Sequence, residues 1–114
     1  MDDPQSQLEM TSCANDKYET IQNKLDTLVT KIKVRVSEDQ ANKLDWLQNT
    51  WLSVAKAHCT WIKDLYGRGS VGPMQYNACM SEQVRDRIND LRLLLCEGYG
   101  MTGECSASKE YENL

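Results

Sequence analysis

Residues 14–36, ANDKYETIQNKLDTLVTKIKVRV, decide the fold. Ala14, Tyr18, Ile21, Leu25, Leu28, Ile32 and Val36 recur at steps of three and four, which lays one apolar face along a helix. Ser6, with Glu9 three residues later, reads as a capping box that starts this helix. Ser37 with Gln40 reads as a second box, which restarts the chain after Val36. One segment dissents: Ile32-Lys33-Val34-Arg35-Val36 alternates like a strand. No partner strand is evident, so it is taken as a β-branched helix end.

Two further stripes follow. Leu44, Leu47, Trp51, Val54, His58, Trp61 and Leu65 keep the same spacing, as do Ser81, Val84, Ile88, Leu91 and Leu95. All six glycines lie between Gly67 and Gly103, and the prolines are Pro4 and Pro73, so the first 66 residues hold almost no breakers. Helices are expected over about 6–35, 38–66 and 74–96, joined by short connections. The fold class is therefore all-α, an up-down-up three-helix bundle. Residues 1–97 form the domain, and 98–114 a loose polar tail partly tethered by Cys105. On the second stripe Trp51 and Trp61 read as core, and His58 as a packed histidine. Trp46 lies off it and is open to a surface role.

The chain has 114 residues, enough for one domain with a real core. A net charge of −4 repels phosphate backbones, which speaks against nucleic acid and favours a basic partner. No apolar run is long enough to span a membrane. The five cysteines contain no CxxC, and scattered cysteines in a small domain point to disulfides and an oxidising compartment. The expected location is periplasmic, cell-surface or secreted, with the signal peptide removed and Met1 added for expression.

Helix levels sort the cysteines. Cys59 lies roughly 10 Å above the glycine-rich loop, and Cys79 stands at nearly the same height on helix three. Their Cα atoms can therefore approach to disulfide distance. Cys13 shares that level, whereas Cys96 lies roughly 25 Å higher, which excludes Cys13–Cys96. Cys96 reaches Cys105 through the short segment between them, and Cys13 is left as the unpaired thiol. A zinc site from Cys13, His58, Cys59 and Cys79 is the sharper alternative. Adjacent His58 and Cys59 diverge by about 100° on a helix, a poor chelate. No phosphate-cradling loop, nucleophilic set or paired carboxylates stand out. No catalytic residue, metal or cofactor is assigned.

Leu44-Asp45-Trp46-Leu47-Gln48-Asn49-Thr50-Trp51-Leu52 with Cys59, Gly69-Ser70-Val71 leading through Pro73 to Cys79, Arg87-Ile88 with Leu91, and Ser6 to Ala14 form a pattern. Over about residues 2–91 it resembles the LprI-type lysozyme-inhibitor family of small exported bacterial proteins. The sequence departs from the family at Ala55 and Lys56, where an arginine and an acid are usual. It departs again at Val84, where a threonine is usual, and at Gln22 and Asp26, where Asp and Asn are typical. The family also tends to place a cysteine where Met1 stands, so the partner of Cys13 is missing.

The resemblance implies a non-enzymatic binding protein that blocks a basic, lysozyme-like peptidoglycan hydrolase, and it is compatible with a lipid anchor on the precursor. The alternatives are a periplasmic immunity or adaptor protein that binds a toxin, and a structural envelope protein. The turn Tyr66-Gly67-Arg68-Gly69-Ser70-Val71-Gly72-Pro73 is the candidate contact, with Arg68, Ser70 and Tyr66 as its side chains and Trp46 as a second candidate. A thiol titration under denaturing, non-reducing conditions is expected to find one thiol, or three if Cys96–Cys105 does not form. Five would overturn both the staple and the oxidising compartment.

Overall fold

A computed structural model describes residues 4–96 and 106–111. Helix α1 spans Pro4–Lys33, α2 Glu38–Leu65 and α3 Val71–Leu91; a 3₁₀ turn continues α3 over Arg92–Leu95, and a short α4 covers Ser106–Lys109. No strand occurs among the described residues. The three long helices run up, down and up in a molecule 51 × 27 × 21 Å. The described part of the chain is thus the expected three-helix bundle.

The helices do not pack evenly. α3 lies between α1 and α2, which touch each other only sparingly. Toward α1, α3 presents Val84, Ile88 and Leu91, which bury against Ile21, Leu25, Leu28 and Ile32. Toward α2 it presents Met80, which buries with Ala55 and Cys59. The α1 stripe from Ile21 to Ile32 and the α3 stripe from Ser81 to Leu95 are buried as the spacing predicts, and α3 buries Met80 on a second side. Leu95 extends the first cluster into the 3₁₀ turn.

Several boundaries differ from expectation. α1 is already helical at Pro4, so Ser6 lies inside it and does not cap it. Ser37 does cap α2: its hydroxyl accepts the Gln40 amide at 3.2 Å. Residues 34–36 turn away from α1, and Arg35 donates to the Leu95 carbonyl. The strand-like alternation of residues 32–36 thus marks a turn, with Ile32 buried and Val34 and Val36 exposed. Helix α3 begins at Val71, three residues early. Pro73 sits in its first turn, where no intrahelical N–H bond is required.

The seam between α2 and α3 carries two fixed contacts. Cys59 and Cys79 form a disulfide across it, with Cα atoms 5.6 Å apart. A loop of this length restricts the unfolded chain by about 3 kcal/mol. Two to three turns further on, the Arg87 Nε donates to the Gln48 Oε1 at 2.6 Å, and the guanidinium lies 5.9 Å from the centre of the Trp51 ring. Trp51 also packs against both apolar clusters.

Part of the tail is docked, contrary to the loose tail expected. Tyr111 joins the α1–α3 core, Ser108 is fully buried and accepts from Arg92 at 2.8 Å, and Glu110 pairs with Lys31. Cys96 is disulfide-bonded; its expected partner Cys105 lies outside the described residues. Trp51→Ala should lower the unfolding free energy by about 3 kcal/mol in a urea titration, because it removes a ring shared by two clusters. Trp46→Ala, at a position 68% exposed, should change it by less than about 0.5 kcal/mol.

Candidate functional site

The connection between α2 and α3 is a tight five-residue turn, Tyr66 to Ser70. The α2 ladder ends with the Tyr66 N–H on the Lys63 carbonyl and the Gly67 N–H on the Asp64 carbonyl. Gly67 then adopts φ +68°, the left-handed conformation in which a side chain is strained. Gly72 packs so closely on Lys63 that an added Cβ would stand 3.2 Å from its Cγ. These two glycines set the reversal and its distance from α2, while the disulfide about two turns further along α3 holds the base.

Tyr66, Arg68 and Ser70 all project from this turn into solvent. Ser70 occupies the N-cap of α3, yet its side chain makes no capping bond. The hydroxyl is therefore not committed to its own helix. Gly72 and Pro73, expected within the loop, belong to α3 instead, so the projecting segment is shorter than the sequence suggests. Trp46 is exposed as expected but does not join the group. Twenty residues separate it from Tyr66, about 30 Å along the helix.

The α2 stripe requires a larger correction. Val54, Trp61 and Leu65 are 64, 57 and 61% exposed, and His58 is exposed beside Trp61 at 6.2 Å between ring centres. Trp61 is not core, and His58 is not a packed histidine. The side of α2 that meets α3 instead runs through Trp51, Leu52, Ala55 and Cys59. Successive residues diverge by about 100°, so turning Cys59 toward Cys79 swings Val54, His58 and Trp61 outward. The disulfide also consumes the thiolates of Cys59 and Cys79, so the four-ligand zinc set cannot assemble.

The outward face of α2 thus carries Val54, His58, Trp61 and Leu65 and leads into the exposed turn of Tyr66 and Arg68. Sequence reasoning missed it because bulk and spacing alone assign Trp61 to a core. The usable signal was Cys59 itself: a staple to α3 fixes which side of α2 is inside.

Electrostatic perturbation lies elsewhere, on α1. The Glu110 carboxylate raises the Lys31 ammonium above its usual range, and Lys31 in turn lowers Glu110. Burial raises the Tyr18 phenol, with Tyr76 and Asp26 adding to the effect.

Trp61→Ala is expected to leave the urea midpoint within about 0.5 kcal/mol of the parent. Met80→Ala, at a fully buried position, should cost about 2–5 kcal/mol. Equal losses would restore Trp61 to the core.

A family model described as Lysozyme inhibitor LprI matches residues 1–91. No curated protein and no solved structure matches the chain.

Proposed function

Because the chain belongs to the LprI lysozyme-inhibitor family, we propose that it is an exported, non-enzymatic binding protein that blocks a basic, lysozyme-like cell-wall hydrolase. The family match carries this reading. The α2–α3 turn is the element proposed to enter the hydrolase cleft, and its geometry supports that role.

A cleft that cuts sugar chains is concave and flanked by carboxylates. What fills it must be narrow, convex and rigid before contact, because ordering a loop on binding consumes affinity. The Tyr66–Ser70 turn is narrow, and its two ends are fixed by the Gly67 reversal and the disulfide-bonded helices. Arg68 can make a charge-assisted, bidentate contact with a carboxylate, with the uncommitted Ser70 hydroxyl beside it. Trp61, Leu65 and Tyr66 add exposed apolar surface along the adjoining edge of α2, the composition of an interface anchor. The −4 net charge would accelerate encounter with a basic enzyme.

A turbidity assay of bacterial-wall lysis by a basic lysozyme tests the function. Lysis should slow in proportion to added protein. An unchanged rate at large molar excess removes that class of enzyme as the target. With the inhibited enzyme in hand, Arg68→Ala combined with Ser70→Ala should weaken binding at least tenfold, about 1.4 kcal/mol, with the melting curve unaltered. Unaltered affinity would move the contact to the outward face of α2, first to Trp61 and Leu65 and then to Trp46.

A further inference from the structure

Four large apolar residues of α2 stay uncovered in the bundle. Leu47, Val54 and Trp61 recur every seven residues, and Leu65 stands one turn beyond. They are 43, 64, 57 and 61% exposed. Thr50 and Ala57, the small residues between them, are exposed as well. A seven-residue repeat keeps one seam turned toward a neighbouring helix along its whole length, and small residues in the seam make room for a bulky side chain opposite.

Charge indicates what covers this seam. Between Asp45 and Lys63, α2 has one charged residue, Lys56, and its rotation of about 200° from Val54 puts it on the other side of the helix. A basic enzyme is met by carboxylates, and the middle of the seam offers none; its complement is another uncharged seam. The two ends, in contrast, carry opposite charges, with exposed Lys43 near the start and exposed Asp64 near the finish. An antiparallel copy turned about Val54 brings Leu47 to the partner's Trp61 and Thr50 to the partner's His58, and sets Lys43 beside the partner's Asp64. A parallel copy would place each charge on its like. The pair that Lys43 makes with Asp39 at 3.2 Å is exposed on both sides and competes little.

The exposed surface of the seam amounts to about 600 Å² per copy, so a symmetric pair buries about 1,200 Å², the lower edge of specific, stable interfaces. We propose that α2 pairs antiparallel with α2 of a second copy about a two-fold axis at Val54, as a homodimer that separates on dilution. Trp61 and Leu65 adjoin the turn assigned to the hydrolase, so pairing withholds that edge from the enzyme. The association itself is measured without any hydrolase, and its outcome is separate from that of the lysis assay.

Sedimentation equilibrium of the full-length chain tests the pairing, with Cys59–Cys79 intact and Cys13→Ser at an exposed position to exclude an intermolecular disulfide. The mass should rise from 13.0 kDa toward twice that value as the concentration passes through about 10–100 μM. Val54→Arg sets two like charges face to face on the axis. It should weaken association about tenfold or more, with the melting temperature of the dilute protein unchanged. Lys43→Glu or Asp64→Lys alone should weaken association about threefold, and the two together should restore it. Restoration marks the antiparallel arrangement, since in a parallel pair each reversed charge still faces its like. A monomer at every concentration would overturn the proposal and leave the face to a different protein. Association undiminished by Val54→Arg, or charge reversals that fail to restore one another, would overturn it equally.

Discussion

The structure depends on burying α3 from two sides. α1 and α2 follow one another through a short turn yet scarcely touch, so neither can cover the apolar face of the other. α3 separates them and supplies both with a partner: Val84, Ile88 and Leu91 toward α1, and Met80 toward α2. A helix in this position needs a wider apolar arc than a surface helix, and the buried residues of α3 span it with Met80, Ser81 and Val84 on adjacent turns. Its loss would leave two amphipathic helices without a core.

The two sides of α3 are secured by different chemistry. Against α1 the contact is a continuous run of aliphatic side chains, extended by Leu95 and closed by Tyr111 from the tail. Against α2 the apolar contact is smaller, with Ala55 and Cys59 as its buried α2 residues. The disulfide and the Gln48–Arg87–Trp51 junction reinforce this thinner seam. The junction gives a physical reason for the Gln-x-x-Trp spacing on α2. Gln48 and Trp51 lie one turn apart on one face, so one accepts from Arg87 while the other lies against its guanidinium.

The departures from the family pattern fit this division. Ala55 and Val84, where the family favours polar residues, are both buried and apolar here. Gln22 and Asp26, two more departures, bond to each other at 3.0 Å along the α1 surface. Polar contact across the seam is carried instead by Gln48 and Arg87. Because Ala55 and Cys59 are small, α2 approaches α3 closely near the disulfide, while Val54, Trp61 and Leu65 remain on the outer side.

Spacing alone determined the three helices, their order and the buried faces of α1 and α3, because an apolar repeat of 3.6 residues is a local property of the chain. Helix rise likewise placed Cys59 opposite Cys79 and left Cys13 alone, since height along a bundle follows from residue number. Tertiary structure decided what spacing could not. α2 carries apolar residues over more than half its circumference, so the sequence offered two inward faces, and bulk favoured the one with Trp61. The covalent link at Cys59 selected the other, and Val54, Trp61 and Leu65 turned outward. The tail was equally illegible: Tyr111 docks through a cleft assembled from α1 and the end of α3, a surface that exists only after those elements have packed.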